Sequence, residues 1–400
     1  MGRRSNAILC VDCIAPSSRP SLLHIHSDLT FLKIDRKKSE ESIKLIRKVA
    51  LIRRPCLEGI QFRLAARGYL WFDIGDGCKR TMLLGDFQVM VTSEDILNHM
   101  EKVVVGKRSA LQMVLAAMLA GGHVLIQDVP GVAKTLLART LAKTFEMDFT
   151  RVQMTPDLLP ADLTGTGVWD ESTRSFGFQP GPIFTQVLLA DELNRATPRT
   201  QAGLLEAMEE RLVTVDGIPH RLPRPFFVIA TQNPVEQQGV FPLPEAQLDR
   251  FLIQIHLGYP THEEEVGVVA AQSVTHPLER LEPIATHQDF ESMCRASREV
   301  YTDPTVTDYL VRLVATTRGR EELVLGASPR ASLAIHHTAR ALAYILGDRF
   351  IRPDHVQAVA RPVLRHRLIL TPQSRLAGVQ ADEIVESVLD RVDVPIYTGS

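Results

Sequence analysis

The sequence predicts an α/β protein in which a parallel sheet is flanked by helices and followed by an all-α C-terminal domain. Between residues 123 and 230, apolar segments of strand length alternate with segments of helical periodicity. Such alternation favours a parallel sheet with helices on both faces. From Tyr259-Pro260 onward the pattern is helical. Proline near the first helical position marks helix starts at Asp303-Pro304, Ser328-Pro329 and Arg352-Pro353.

Each element of this pattern has its own signal. Thr92 followed by acidic residues predicts a capped helix to about Val104, and Gly121-Gly122 ends a second helix that starts at about Ser109. Short apolar runs predict buried strands, and apolar residues at helical spacing predict helices. In chain order, the predicted elements are strand His123–Gln127, helix Thr135–Phe145, strands Phe149–Gln153 and Val187–Ala190, helix Thr200–Glu210 and strand Phe226–Ala230.

Two insertions interrupt the alternation of strands and helices. Residues 165–179 are rich in Gly, Thr and Ser, with interleaved aromatic residues, and predict a projecting hairpin or loop. Residues 212–222 predict a second hairpin around the turn Asp216-Gly217. The aromatic residues of the first insertion could contact a partner or pack on the chain's own core, and both alternatives stay open. These residues are Trp169, Phe176 and Phe178.

The composition is that of an ordinary globular protein, with 45% hydrophobic and 23% charged residues. The net charge of −2 predicts no general attraction to nucleic acid or anionic membranes. No run reaches the roughly 20 apolar residues of a membrane-spanning helix, so we expect no membrane insertion. Asp12 interrupts the apolar start of the chain, which argues against a secretion signal. We therefore expect a cytoplasmic protein.

Charge and periodicity separate residues 1–89 from the rest of the chain. These residues carry 16 Lys/Arg and 9 Asp/Glu, a charge of +7, which leaves −9 for residues 90–400. They show no sustained period beyond a basic helix over Ser39–Leu51 and a short strand over Gly68–Ile74. We expect a poorly folded N-terminal extension or a mis-assigned start. The predicted domains are therefore residues 1–89, a core over residues 90–258 and a helical domain over residues 259–400.

A phosphate-binding turn is predicted between the first strand and the helix after it. The segment is Asp128-Val129-Pro130-Gly131-Val132-Ala133-Lys134-Thr135. It departs from the pattern G-x-x-x-x-G-K-[ST] at Asp128 and Ala133, but the strand before it and the helix after it are the context that this motif requires. Backbone amides and a helix N-terminus then face an anion. We expect Lys134 to contact the β- and γ-phosphates and the Thr135 hydroxyl to bind Mg²⁺.

Two adjacent carboxylates follow the buried strand Val187–Ala190. Ligands of open α/β sheets bind at the carboxyl ends of the strands, which is where Asp191 and Glu192 stand. We expect Asp191 to orient Mg²⁺ through its waters and Glu192 to act as general base for the attacking water. Asn233 follows the next apolar strand and is expected to hold the same water. Together with the turn, these residues predict hydrolysis of a Mg²⁺-bound nucleoside triphosphate.

Four longer motifs resemble the MoxR family of AAA+ ATPases, and they occur in the family's order. They are residues 153–162, 190–210, 230–234 and 244–251, within a match that runs from about Met90 to the C-terminus. The resemblance implies an AAA+ P-loop core followed by a helical lid domain, with ATP bound between subunits. It also implies self-assembly into a ring, usually a hexamer. The family accepts Ala before the phosphate-loop lysine, so Ala133 fits the resemblance better than Asp128 does.

The resemblance implies further functional residues. Arg250 matches the arginine finger, which stabilises transition-state charge on the γ-phosphate held by a neighbouring subunit. Arg330, in Ser328-Pro329-Arg330, matches the second sensor motif, which contacts phosphate and couples lid motion to hydrolysis. Whether Arg330 serves its own subunit or the next one stays open. Arg195 belongs to one of the matching motifs and is placed at the subunit interface.

The function that the resemblance implies is an ATP-hydrolysing, chaperone-like factor. It would remodel or activate a partner protein, often one with a von Willebrand A domain and sometimes one that acquires a metal or cofactor. Two alternatives stay open: a magnesium-chelatase-like ATPase subunit, which shares the insertions, and an ATPase that remodels nucleic acid. Against the second alternative, residues 90–400 are acidic and neither hairpin is rich in Lys or Arg, so nucleic acid is not an expected partner.

Overall fold

The computed structural model describes residues 61–65, 69–73, 79–83, 91–129, 131–172, 174–234, 239–271 and 277–395. The chain divides into two compact units, Met1–Met90 and Val91–Ser400. The basic helix predicted over Ser39–Leu51 lies outside the described residues, as does Pro130 of the predicted phosphate-binding turn. The predicted domain boundary near Gly258 stays a prediction.

The first unit contains a three-stranded antiparallel sheet in the order β1-β2-β3. Its strands are β1 (Gln61–Ala65), β2 (Tyr69–Asp73) and β3 (Lys79–Leu83). The strand predicted over Gly68–Ile74 is confirmed by β2, whereas β1 and β3 were not predicted. β1 (QFRLA) and β3 (KRTML) contain Arg or Lys and lack the run of apolar side chains that marks β2 (YLWFD), so neither stands out as a strand in the sequence. That residues 1–89 are an extension or a mis-assigned start stays a prediction.

The second unit is built on a five-stranded parallel sheet in the order β12-β4-β11-β8-β5. In this sheet β11 lies between β4 and β8, with Gln232 opposite Gln127 and Ala230 opposite Ala190. The carboxyl ends of these three strands therefore lie at the same edge. The strands are β4 (Val124–Gln127), β5 (Phe149–Gln153), β8 (Val187–Asp191), β11 (Phe227–Gln232) and β12 (Ile253–Ile255).

Both faces of this sheet are buried. Ile126 and Leu189 belong to one apolar cluster, while their neighbours Leu125 and Leu188 belong to another. Side chains of a strand point alternately to opposite faces, so the two clusters occupy the two faces of the sheet. A strand that is covered on both sides reads as a continuous apolar run, which is why these strands could be recognised. The expected α/β fold with a parallel sheet flanked by helices is confirmed.

Fourteen α-helices are present in the described part of the chain, and those after β12 form the helical C-terminal region. The three helix starts predicted from proline are confirmed at Pro304, Pro329 and Pro353. No helix among the described residues has the length and apolar character needed to cross a bilayer. The helices are α1 (Ser93–Glu101), α2 (Arg108–Leu119), α3 (Lys134–Thr144), α4 (Pro160–Thr164), α5 (Pro198–Glu210), α6 (Glu245–Leu248), α7 (His262–Ala271), α8 (Pro277–Arg280), α9 (His287–Arg298), α10 (Pro304–Thr317), α11 (Pro329–Ile345), α12 (Pro353–Leu364), α13 (Pro372–Leu376) and α14 (Ala381–Arg391). A short antiparallel pair, β13 (Leu323–Leu325) and β14 (Ile369–Leu370), lies among them.

Both insertions are antiparallel hairpins, as predicted. The first is formed by β6 (Gly165–Asp170) and β7 (Ser175–Pro180), and the second by β9 (Leu212–Val215) and β10 (Ile218–Arg221). The turn of the second hairpin has positive φ at Asp216 (51°) and Gly217 (78°), the combination that two-residue hairpin turns of type I′ require.

The aromatic residues of the first hairpin divide between the two alternatives. The ring of Phe178 stacks on His220 of the second hairpin, 3.8 Å between centroids, so the two hairpins pack on each other. Trp169 and Phe176 instead pair edge to face and are 50% and 74% exposed. One aromatic residue therefore joins the hairpins, and two remain available to a partner.

Candidate nucleotide site

The predicted phosphate-binding turn joins β4 to α3. Gly131 has a φ of +87° and Ala133 a φ of +62°, both in the left-handed region that glycine adopts without steric penalty. This conformation explains why the motif usually has Gly at the position of Ala133. A Cβ added at Gly131 would meet no atom within 4 Å, so there is open space beside the backbone of the turn. Ala133 therefore adopts the left-handed conformation of the glycine that it replaces in the motif.

Lys134 and Thr135 form the first turn of α3, and both are half-buried. The Lys134 ammonium donates a hydrogen bond of 2.6 Å to the carbonyl oxygen of Asp128, at the other end of the loop. The first turn of α3 contains no acidic residue. The N–H groups at a helix start and the positive end of the helix dipole add to the charge of Lys134, which suits an anion.

The Asp128 side chain has a different environment from the one expected. Its carboxylate is buried and accepts hydrogen bonds from the backbone N–H groups of Leu257 and Gly258, the latter at 3.3 Å. This residue therefore ties the start of the loop to the segment that follows β12. Its side chain fixes the start of the loop through these backbone hydrogen bonds. A direct contact between Asp128 and a nucleotide stays a prediction.

Asp191 ends β8, and its carboxylate is held on both oxygens. The Thr231 hydroxyl donates a hydrogen bond of 2.6 Å to Oδ1, and the Arg151 guanidinium forms an ion pair of 2.7 Å with Oδ2. Thr231 is fully buried in β11, and its hydroxyl also accepts a bond of 2.8 Å from the backbone N–H of Glu192. Neighbouring strands of the sheet thus fix the position of the carboxylate pair.

Glu192 lies just beyond the strand, with a φ of +58°. Its Oε2 accepts a hydrogen bond of 2.6 Å from the side-chain amide of Gln153, at the end of β5. The same oxygen lies 3.0 Å from Nε of Arg195. These two donors orient the carboxylate that was predicted to activate water.

Asn233 follows β11, the strand between the loop strand β4 and the acid strand β8. Asn233 is buried, and its carbonyl oxygen accepts a hydrogen bond of 3.4 Å from the Asn194 side chain. The order and register of the strands therefore bring one set of predicted residues to one edge of the sheet, and we call this set the strand-end site. It comprises Lys134, Thr135, Asp191, Glu192 and Asn233.

Sequence analysis missed three residues that the structure places at this site. Arg151 and Gln153 lie on β5, and Thr231 lies near the end of β11. Both strands pair with β8, and Gln153 ends β5 while Arg151 lies two residues before that end. Arg151 contacts Asp191, Gln153 contacts Glu192, and Thr231 contacts both acids. The signal was available: Arg151 and Gln153 lie in a predicted strand, and Thr231 directly follows another. Polar residues at the ends of neighbouring parallel strands share an edge.

Arg250 and Arg330 lie together in a second place. Nε of Arg250 is 3.3 Å from Oε2 of Glu209, and Nη2 of Arg330 is 2.7 Å from Oε1 of the same carboxylate. Arg330 also lies 3.7 Å from Oδ2 of Asp249. The ion pair with Arg330 lowers the pKa of the Glu209 carboxyl, with Arg250 contributing further. We call Glu209, Asp249, Arg250 and Arg330 the arginine cluster. Among the described residues, no ion pair joins it to the strand-end site.

Comparison with known proteins places this geometry in a family. Residues 123–253 match the ATPase family associated with various cellular activities (AAA), and residues 315–388 match the AAA lid domain. The protein YeaC of Bacillus subtilis is 47% identical over 304 residues, which cover 76% of this chain and 95% of YeaC. Chaperone MoxR1 of Mycobacterium tuberculosis is 39% identical over 313 residues, which cover 76% of this chain and 82% of MoxR1.

The chain belongs to the MoxR family of AAA+ ATPases. A crystal structure of a candidate ATPase from Cytophaga hutchinsonii is similar to it, with a TM-score of 0.71 and 36% sequence identity. The match covers 76% of this chain and 94% of that protein. The AAA+ core and lid expected from the MoxR resemblance are therefore confirmed.

The residues of this MoxR-family site suit ATP with Mg²⁺. Mg²⁺ usually takes one or two carboxylates together with phosphate oxygens and water. The strand-end site offers that donor set through the Thr135 hydroxyl and the Asp191 carboxylate. No group of three or more His, Cys, Asp or Glu side chains in the described part of the chain could hold a metal by itself. The donors present therefore match an ion that arrives with its nucleotide.

Proposed function

We propose that this MoxR-family chain hydrolyses ATP and uses the energy to remodel or activate a partner protein. The observation that supports hydrolysis most strongly is the shared edge of the sheet. Residues 134 and 192 are far apart in the chain, yet β4, β11 and β8 end side by side, with Ala230 in register with Ala190 and Gln232 with Gln127. A lysine, a hydroxyl and two carboxylates therefore stand at the one edge of the sheet where we place the triphosphate.

Each residue of the site has a distinct proposed role. The loop amides, the N-terminus of α3 and Lys134 bind the phosphates, while Thr135 and Asp191 would hold Mg²⁺. When bound, Mg²⁺ supplies positive charge that neutralises the phosphate oxygens. Glu192, oriented by Gln153, accepts a proton from the attacking water, and Asn233 positions that water.

The arginine cluster is proposed to act on a neighbouring subunit. Arg250 and Arg330 both contact the Glu209 carboxylate, so their guanidinium groups are neighbours. Since Arg250 matches the finger motif, both guanidinium groups would serve the ATP of the next subunit in a ring. We propose a hexamer in which ATP lies between subunits. Light scattering of the protein with and without ATP tests the ring directly.

The partner is proposed to be a protein with a von Willebrand A domain, located with this chain in the cytoplasm. The exposed pair Trp169 and Phe176 at the first hairpin supports such a contact, because exposed aromatic side chains are typical of protein-binding surfaces. We expect the double variant Trp169→Ser, Phe176→Ser to lose binding to such a partner in a pull-down while keeping basal ATP turnover. Tyr301→Ser, a 59% exposed residue of the lid, is the matched control that keeps binding.

ATP turnover of two variants tests the proposed hydrolysis. We expect Lys134→Ala to lose ATP binding and turnover, and Glu192→Gln to bind ATP normally while turnover falls about 10²–10⁴-fold. The matched control is Lys143→Ala, on the same helix α3, where the ammonium bonds to the carbonyl oxygen of Leu278 at 2.9 Å. We expect this control to keep normal turnover. Wild-type rates in both site variants would show that the residues were assigned wrongly.

A further inference from the structure

The backbone that carries Arg250 is held by an arginine of the lid. The Arg367 guanidinium, just beyond α12, donates hydrogen bonds to Asp249 Oδ1 at 2.6 Å, to the Phe251 carbonyl oxygen at 2.7 Å and to the Leu252 carbonyl oxygen at 3.0 Å. It also bonds to the carbonyl oxygen of Val363 in α12. One side chain thus contacts the residues on both sides of Arg250 and anchors them to the end of a lid helix.

This contact is buried and specific. The Arg367 side chain is 3% exposed, and burial lowers its pKa while the Asp249 carboxylate opposes that shift. His366 adds a hydrogen bond of 3.0 Å from Nε2 to the Phe251 carbonyl oxygen. A planar guanidinium that donates to a carboxylate and to several carbonyl groups defines a position more closely than a single ion pair does. The position of the segment Asp249–Leu252 therefore depends on the position of the C-terminal end of α12.

Asp249 links this anchor to the rest of the arginine cluster. Its Oδ1 accepts from Arg367, and its Oδ2 lies 3.7 Å from Arg330 at the start of α11. Arg330 of α11 and Arg367, just beyond α12, thus reach the same carboxylate, next to the residue that matches the finger. A third lid contact, Arg375 of α13 to Glu245 at 3.2 Å, joins the helix just before this segment.

We propose that Arg367 is a positioning residue through which the lid of one subunit sets the reach of Arg250 toward the ATP of the next subunit. The inference rests on the proposed function, since it adds a control element to the same reaction. Groups that stabilise a transition state must be held within about 0.5 Å of their productive position, so a loosened anchor lowers turnover without touching the ATP site of its own subunit. An Arg367 variant should therefore lower hydrolysis of the ATP that is bound by the neighbouring subunit.

Mixing of subunits separates this role from general damage to the fold. Arg367→Met has an intact strand-end site, and we expect it to bind ATP like wild type while turnover falls at least about tenfold. Glu192→Gln has intact arginines but cannot hydrolyse its own ATP. In rings co-expressed at equal amounts, about one interface in four pairs an intact Glu192 with an Arg250 that is held by an intact Arg367, so we expect roughly a quarter of wild-type turnover.

Arg365→Met is the matched control for loss of a buried arginine. Arg365 lies two residues away, its side chain is 11% exposed, and it pairs with Asp382 of α14 at 2.9 Å. We expect this variant to keep wild-type turnover. If Arg367→Met does not yield folded protein, Asp249→Ala removes the carboxylate that accepts from Arg367, and we expect the same recovery when it is mixed with Glu192→Gln.

The results separate the inference from the proposed function. The positioning role is supported if ATP turnover recovers in mixed rings of Arg367→Met and Glu192→Gln while Arg365→Met keeps wild-type turnover. Wild-type turnover in Arg367→Met overturns it. So does failure to recover in mixed rings when Arg250→Ala, mixed in the same way, does recover. Absence of ATP turnover in the wild type, measured first, overturns the proposed function and this inference with it.

Discussion

The strand-end site and the arginine cluster supply two halves of one proposed reaction, and they are held in different ways. In the strand-end site, Asp191 and Glu192 are fixed by Thr231 and Gln153. These two residues lie on β11 and β5, the strands on either side of β8. In the arginine cluster, Asp249 and Arg250 are fixed by the lid residue Arg367, 118 positions from Asp249. The sheet gives the first half a constant shape. The second half can change with the lid, which is the property expected of a control element.

The largest expected effect tests whether the arginine cluster acts on ATP turnover while the strand-end site determines ATP binding. Arg250→Ala is predicted to lower ATP turnover about 10³-fold, because a finger arginine stabilises charge only in the transition state. ATP affinity is expected to change less than about threefold, since binding depends on the strand-end site. Steady-state turnover and a fluorescent ATP analogue measure the two quantities. A large loss of affinity with a normal maximal rate would place Arg250 at the ATP of its own subunit.

The two regions also differ in how far the sequence alone could predict them. Lys134, Thr135, Asp191 and Glu192 could be found because each motif is contiguous and parallel strands end at one edge. Gln153 and Thr231 lie within the matching motifs 153–162 and 230–234, but they were given no role there, although the same edge rule places them at the site. Arg367 and Glu209 could not be found, because nothing local in the sequence indicates which lid arginine reaches which carboxylate. The fold class followed from strands buried on both faces, whereas β1 and β3 contain Arg or Lys and no long apolar run, so no strand pattern marks them in the sequence.

The buried His123 allows the stability of the sheet that carries the strand-end site to be tested. The Val228 N–H donates to His123 Nδ1 at 3.0 Å, so Nε2 carries the proton and donates to the Met208 carbonyl oxygen at 3.2 Å. This bridge ties β11 to the end of α5, next to Glu209. His123→Phe leaves two buried backbone groups unpaired and is predicted to lower the free energy of unfolding by roughly 2–4 kcal/mol. Urea denaturation at pH 7 measures this loss, and the exposed His262→Phe serves as control.

The same histidine predicts a pH dependence. Burial lowers the pKa of His123 to about 3 from its usual 6.5, so the folded protein keeps the ring neutral while the unfolded chain binds a proton. The free energy of unfolding should therefore decrease as the pH falls from about 6.5 toward 3, by up to about 1.4 kcal/mol per pH unit from this residue. His123→Phe should flatten the profile in this range. An unchanged profile would show that His123 is not the group responsible.

A smaller effect is expected from the amide that orients Glu192. Gln153→Ala removes the hydrogen bond of 2.6 Å to Oε2, and Arg195 remains 3.0 Å from that oxygen. We predict that kcat falls about tenfold with KM nearly unchanged, because the carboxylate stays in place but is less well oriented. Gln186→Ala, another amide side chain of this unit, should keep the normal kcat. A Gln153→Ala enzyme with wild-type kcat would assign the orientation of Glu192 to Arg195 alone.

The smallest effect is expected from the carboxylate that the two arginines share. Glu209→Gln removes the charge that holds Arg250 and Arg330 but leaves both side chains in place. Because exposed ion pairs contribute little, about 0–1 kcal/mol, turnover should change less than about fivefold in either direction. A loss as large as that of Arg250→Ala would mean that Glu209 takes part in the reaction itself.

The central claim is that one ATP is hydrolysed by the strand-end site of one subunit and the arginine cluster of another. The most direct measurement is ATP turnover of rings that contain equal amounts of Glu192→Gln and Arg250→Ala subunits. Each variant alone should be nearly inactive, and the mixed rings should recover roughly a quarter of wild-type turnover, since about one interface in four has both intact halves. Mixed rings no more active than the mean of the two parent variants would contradict the claim.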